Sequence, residues 1–253
     1  MQRIMDRPFY TRIALLGVAL VLSLAAFLFV VILIFSPDDV VFPIIMGVVA
    51  LIVGALILFI PYPWGLVFAV LAGAVCFLFV SDKPELSFGS PDSFFDFIFP
   101  VMFVPAGLFL LVGGITGLVQ HFRHQPTNGN STLVAGVKGV FAVVVALLAI
   151  SAVLTVLNLG SASAADKEGA AYLKTKDDEF TNQAISASPS GKIVIDNRDP
   201  YLHTFTIDDL DLDVKIGGGS YAVINLDNVK PGEYFFHCRV SGHESMDGKL
   251  TVQ

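Results

Sequence analysis

Charged residues are scarce in this sequence. Lysine, arginine, aspartate and glutamate make up 15% of the 253 residues, whereas a soluble globular protein usually carries about 25%. Hydrophobic residues reach 55%, and the shortage of charge is concentrated before Asn158. This composition excludes a single soluble domain. It indicates a membrane region up to residue 158 and a more polar region after it.

Cysteine is almost absent, with two residues in the whole chain, Cys76 and Cys238. Cys76 lies inside an apolar run, whereas Cys238 lies in the polar C-terminal part. The two side chains are therefore not expected to meet, and we predict no disulfide. Cys238 must have another role.

Basic residues are outnumbered in the C-terminal part. From Asp177 to the end, 13 acidic and 6 basic residues give a net charge of −7, equal to that of the whole chain. This balance excludes nucleic acid as a partner, because binding to phosphate requires basic patches. It favours a protein partner with a basic face, because complementary charge speeds docking.

The first part of the chain contains several long apolar runs. A membrane-spanning helix needs about 20 apolar residues, and five segments come close to or exceed that length: 13–35, 40–60, 64–80, 97–120 and 133–157. The sequence therefore predicts an all-α membrane bundle of about five helices within residues 1–158. The first run is too long for a cleaved signal peptide, so we expect it to be retained.

These runs carry little chemistry of their own. No histidine lies inside them, and no aspartate or glutamate lies at mid-span, so neither embedded haem nor an ion path is indicated. We interpret the bundle as an anchor or docking platform in contact with membrane lipid. A quinone or partner site among the helices is the alternative.

The charged residues between the runs predict an orientation. One set of loops is basic, with Arg3, Arg7, Arg12, Arg123 and Lys138. The opposite loops are mainly acidic, with Asp38, Asp39, Asp82, Lys83, Glu85, Asp92 and Asp96. Because basic loops stay on the cytoplasmic side, we expect a multi-pass plasma membrane protein with a cytoplasmic N-terminus. Five crossings then place the C-terminal domain outside the cytoplasm.

The polar part divides into a linker, 159–178, and a domain, 179–253. In the domain, short runs with strand-like composition alternate with turn residues. The candidate strands are 180–186, 192–197, 203–207, 213–216, 221–226, 234–238 and 249–252. Many short strands at this spacing are typical of an all-β sandwich or barrel.

Four residues in this domain have the side chains of a metal site. Cys238 is followed by His243 and then Met246, and His203 stands upstream at the start of a predicted strand. One thiolate, two imidazoles and a thioether are the donors of a type 1 copper centre. His237 is expected to point to the opposite face of its strand, because side chains alternate along a strand.

The surrounding residues resemble those of a known family. The run from Asp196 to Phe205 and the run from Pro231 to Gly248 are similar to the two copper-ligand regions of plastocyanin- and azurin-like cupredoxins. The resemblance implies a Greek-key β-sandwich with one type 1 copper held by His203, Cys238, His243 and Met246. Only two residues separate His243 from Met246, fewer than in many members. A three-coordinate centre or another axial donor therefore remains open.

These features lead to two hypotheses about function. The first is a membrane-anchored carrier of single electrons, working at the outer face with a basic redox partner such as a cytochrome or a respiratory complex. The second is a membrane-held protein that binds, delivers or senses copper. An enzyme is not expected: five histidines in all are few for a multicopper oxidase, and a binuclear copper site needs two cysteines in one loop.

Overall fold

A computed structural model describes residues 8–35, 41–78, 80, 84–124, 131–243 and 245–253. The predicted fold class is confirmed: apolar helices occupy the N-terminal part, and a two-sheet β-sandwich occupies the C-terminal part. The chain forms two compact units, one of residues 1–80 with 99–145 and one of residues 81–98 with 146–253. Arg3, Arg7, Asp38, Asp39, Asp82, Lys83 and Glu244 lie outside the described residues.

Among the described residues, five apolar helices occupy the five predicted segments, and a short helix lies between the third and fourth. In chain order the helices are α1 (Phe9–Phe35), α2 (Val41–Phe59), α3 (Gly65–Leu78), α4 (Pro84–Ser87), α5 (Phe94–Phe122) and α6 (Ser131–Asn158). In α1, α5 and α6 the apolar stretch is long enough to cross a membrane, while α2 and α3 are shorter apolar helices. At 1.5 Å per residue the three long helices extend about 40 Å, more than the roughly 30 Å of a hydrocarbon core.

Glycines let α5 approach its neighbours closely. A Cβ atom on Gly113 would lie 2.6 Å from both the Tyr10 carbonyl oxygen and the Ala14 nitrogen of α1. A Cβ on Gly73 of α3 would lie 3.0 Å from the Gly107 carbonyl oxygen of α5. Small residues at such crossings are the usual means of helix packing in lipid, where apolar burial provides little driving force.

We expect Gly113→Ala to lower the thermal stability of the detergent-solubilised full-length chain, because the added methyl group would clash with the backbone of α1. Overpacking of this kind costs about 1–3 kcal/mol. Gly139→Ala in α6 is the matched control, since its Cβ would meet nothing within 4 Å among the described residues. Circular dichroism of the helical signal measures both. Equal melting temperatures for the two variants would contradict the close-packing interpretation.

The β-sandwich follows a short helix, α7 (Ala164–Lys167). Its strands are β1 (Ala170–Lys176), β2 (Glu179–Phe180), β3 (Ala184–Ala187), β4 (Lys192–Asn197), β5 (His203–Ile207), β6 (Leu212–Ile216), β7 (Tyr221–Asn225), β8 (Gly232–His237) and β9 (Asp247–Val252). One sheet has the order β2-β1-β4-β7 and the other β3-β9-β8-β5-β6. Their inner faces enclose an apolar core that includes Phe180, Phe205 and Phe236.

The expectation that residues 159–178 form a tether is wrong for 170–176, which form β1. This strand pairs in parallel with β4 and antiparallel with β2. Leu173 and Thr175 are buried, while the lysines beside them are exposed. Buried and exposed side chains therefore alternate at this end of the strand, but only two of its residues are fully buried. Asp177 and Asp178 both have positive φ angles, 55° and 58°, and they turn the chain into β2, as aspartate tolerates. The predicted strand 180–186 is divided between β2 and β3.

Candidate metal centre

The strand order brings the predicted ligands to one end of the sandwich. His203 is the first residue of β5, and Cys238 follows the last residue of β8. These strands are neighbours, with Thr206 opposite His237. His243 lies in the connection from β8 to β9, where Gly242 has a φ of +89°. Glycine adopts that conformation without strain, so the loop can turn back toward His203.

Three donor atoms converge in the structure. Nδ1 of His203 lies 3.1 Å from Nδ1 of His243, and Sγ of Cys238 lies 3.9 Å and 3.7 Å from those two nitrogens. Nitrogen and sulfur donors about 2.0–2.3 Å from a shared ion lie roughly 3–4 Å from one another. The three side chains therefore fit a single metal ion. With two imidazoles and one thiolate, the donor set fits one type 1 copper.

Met246 is held close to the other candidate ligands by the backbone. The Cys238 amide donates to the Met246 carbonyl oxygen, and the Met246 amide donates to the His243 carbonyl oxygen, both at 2.9 Å. Its side chain is 1% exposed and belongs to the same core cluster as Cys238. The short loop thus places Met246 beside the centre, and its axial role stays a prediction. The His237 ring points elsewhere, with Nδ1 3.9 Å from Asp208.

The Cys238 sulfur is surrounded by hydrogen-bond donors. The Thr204 amide donates to it at 3.4 Å. Burial would raise the pKa of the thiol, but contacts with His203, His243 and the Thr204 amide lower it to about 6. Burial would likewise lower the pKa of His203, yet Asp199 and Cys238 together raise it to about 9. The metal-free pocket is thus arranged to hold a thiolate, the form that binds metal.

Asp199 fixes the orientation of the His203 ring. Its Oδ2 lies 2.7 Å from Nε2 of His203, and its Oδ1 accepts from the Asp177 amide at 2.8 Å. Burial would raise the pKa of Asp199, but these bonds lower it. The carboxylate is therefore ionised and accepts the hydrogen on Nε2. This bond orients the ring so that Nδ1 faces Cys238, and a metal ion would displace the proton that Nδ1 carries in the metal-free protein.

Asp178, from the turn between β1 and β2, reaches the second imidazole. Its Oδ1 lies 3.1 Å from Nε2 of His243. The two atoms are not aligned for a hydrogen bond, so Asp178 lies beside this ring without fixing its orientation. The Tyr201 ring lies 5.5 Å from the His203 ring and 5.8 Å from the His243 ring, measured between centroids. Sequence reasoning missed Asp178 and Asp199, since aspartates at such positions look like ordinary turn residues.

We expect Asp199→Asn to weaken copper binding about 10- to 100-fold, because it removes the charge that orients His203 and raises its basicity. A competition titration of the full-length chain against a copper chelator measures the affinity. Asp209→Asn is the matched control, since it makes the same change of charge at an exposed position. The role assigned to Asp199 would be excluded if both variants bound copper like the unchanged protein.

Comparison with known proteins agrees with this architecture. Residues 145–252 match a protein-family model described as a cupredoxin-like domain. No curated protein sequence matches this chain. Similar solved structures include a copper-containing nitrite reductase from Thermus scotoductus SA-01, with 20% identity, a TM-score of 0.29 and coverage of 33% of this chain and 22% of that one.

Two variants of amicyanin in the reduced state are also similar. Their identities are 17% and 18% and their TM-scores 0.30 and 0.31, and each match covers 37% of this chain and 92% of amicyanin. This chain thus spans about a fifth of the nitrite reductase and most of amicyanin. The residues matched by the family model include the whole two-sheet sandwich and the three converging donor atoms. The C-terminal part of this chain is a cupredoxin-like domain.

Proposed function

We propose that the domain carries single electrons at a membrane face, with one copper held by His203, Cys238, His243 and Met246. The observation that carries this proposal is the set of three donor atoms, all within 4.8 Å of one another. Bound copper supplies a one-electron couple. The chain's own residues supply a thiolate, two imidazoles, of which that of His203 is oriented by Asp199, and a short loop that adds a thioether.

The burial of the ligands favours an electron carrier over copper delivery. His203 is 0% exposed and Cys238 is 5% exposed, so the side chains of an acceptor protein could not easily replace them. The His243 side chain is 11% exposed and is the most accessible of the donors. It provides an edge through which an electron can leave while the metal stays in place. The same burial limits rearrangement between oxidation states.

The membrane location rests on the helices. Among the described residues three helices are long and apolar enough to cross, and with α2 and α3 the number becomes five. Either count is odd, which supports an arrangement with the two ends of the chain on opposite sides. We assign a cytoplasmic N-terminus and an extracytoplasmic copper domain at the plasma membrane from the basic and acidic loops.

The acidic balance of the domain supports a basic redox partner, such as a cytochrome or a respiratory complex. Anchoring would keep the domain close to that partner and raise its effective concentration. We infer that the protein is a carrier rather than an enzyme, because the convergent donors account for one copper and the proposed role requires no substrate site.

Copper titration of the purified full-length protein tests the proposal. We expect one copper per chain, an intense thiolate-to-copper absorption band in the oxidised state and a reversible one-electron wave. Copper binding without such a band or wave would contradict electron transfer. Rapid transfer of the ion to a chelating acceptor without redox cycling would instead support the delivery function.

A further inference from the structure

Asp96, far from the cupredoxin motifs in the sequence, lies next to a copper ligand in the structure. It stands in the first turn of α5, in the segment 84–98 that belongs to the same compact unit as the β-sandwich. Its Oδ2 accepts a hydrogen bond from the Leu202 amide at 2.7 Å and another from Ser93 Oγ at 2.6 Å. Leu202 directly precedes His203.

Several hydrogen bonds hold this segment in place beside the sandwich. Nζ of Lys215, on β6, donates to the Glu85 carbonyl oxygen at 3.3 Å. The Phe94 amide donates to Thr155 Oγ1 at 3.0 Å, and that hydroxyl donates to the Asp92 carbonyl oxygen at 2.9 Å. Bonds to both β6 and the end of α6 therefore fix the position from which Asp96 acts.

The bond to Leu202 bears directly on the His203 ligand. Asn197 anchors the rest of this loop, since its Nδ2 lies 2.8 Å from the Tyr201 carbonyl oxygen and 3.0 Å from that of Ile216. Leu202 is buried and its bond to Asp96 is partly buried. A hydrogen bond that is partly removed from water is stronger than one exposed to it.

We propose that Asp96 is a positioning residue of the metal centre. It holds the backbone next to His203 through its bond to the Leu202 amide. The centre is then completed by the segment that leads into α5. This inference rests on the proposed copper function.

Asp96→Asn in the full-length protein tests the assignment. We expect a shifted reduction potential and an altered thiolate-to-copper band, with one copper still bound, because the backbone next to His203 is held less firmly. Asp92→Asn is the matched control: its carboxylate, in the same segment, bonds to Asn158 Nδ2 at 3.2 Å. We expect that control to leave the potential and the band unchanged. An unshifted potential in Asp96→Asn, or equal shifts in both variants, would overturn the proposal.

A measurement on the metal-free protein tests the positioning role of Asp96 independently of the copper function. Hydrogen exchange at the Leu202 amide of the metal-free protein should be severalfold faster in Asp96→Asn, because the amide oxygen of asparagine accepts a weaker hydrogen bond than a carboxylate does. Unchanged exchange would overturn the positioning role whether or not the protein binds copper. If Asp96→Asn does not fold, Ser93→Ala removes the hydroxyl that donates to the carboxylate, and a smaller increase in Leu202 exchange is expected. Unchanged exchange in Ser93→Ala would then overturn the role.

Discussion

Replacing Cys238 with serine is expected to abolish the thiolate-to-copper absorption of the copper-loaded protein. The band requires a sulfur ligand, and the serine hydroxyl is too weakly acidic to replace the thiolate. Two imidazoles at the same positions can still hold copper, but much more weakly and without the colour. Absorption spectroscopy and the copper content of the full-length protein measure the two effects.

Cys76→Ser supplies the control for this experiment. Cys76 is the other cysteine of the chain, and it lies in α3, within the helical unit. Its replacement removes a thiol of the same kind without changing the cupredoxin-like domain, so colour and copper content should match those of the unchanged protein. Colour that survives Cys238→Ser, or that disappears with Cys76→Ser, would show that the sulfur ligand is wrongly assigned.

The convergence of three donor atoms could be predicted because two of the residues that carry them are close in sequence. Cys238 and His243 lie in one loop between two strands, as does Met246, so their spacing alone limits how far apart they can be. His203 starts a strand with strong β character, and the observed bounds of β4 and β5 are the predicted ones. A motif of this kind can be found without knowledge of the tertiary fold.

The carboxylates around the imidazoles could not be predicted in the same way. Asp178 depends on β1, a strand that was missed because small residues and lysines hide its alternation. Asp96 is 106 residues before Leu202, and it was interpreted only as part of an acidic loop. In both cases the role depends on long-range packing, which local composition does not report.

The helices show the opposite situation. Hydropathy predicted the ends of all five apolar helices to within a few residues. Long runs with so few charged residues rarely form anything other than helices. The observed ends make α2 and α3 shorter than the other three. The run 64–80 already indicated a short α3, whereas the run 40–60 was long enough for a full crossing and did not indicate a shorter α2.

Phe236→Ala is expected to produce the largest loss of stability in the β-sandwich. Phe236 is 0% exposed, and its ring centroid lies 4.9 Å from that of Phe205 and 5.2 Å from that of Phe180. Removing such a side chain costs about 3–5 kcal/mol, a large part of the 5–15 kcal/mol typical of a domain. Because Cys238 stands two residues after Phe236 and belongs to the same core cluster, the cavity would also loosen the sulfur ligand.

The neighbouring residue, Phe235, provides a matched control for this prediction. Phe235 is on the same strand but points outward and is 70% exposed, so Phe235→Ala removes an identical side chain with little effect on packing. In the metal-free protein carrying Cys76→Ser, the denaturant concentration at which the Cys238 thiol becomes reactive reports unfolding of the domain. We expect a much lower midpoint for Phe236→Ala and an almost unchanged one for Phe235→Ala. Similar midpoints would mean that the aromatic cluster does not support the strand, and the rigid-ligand argument for electron transfer would lose its basis.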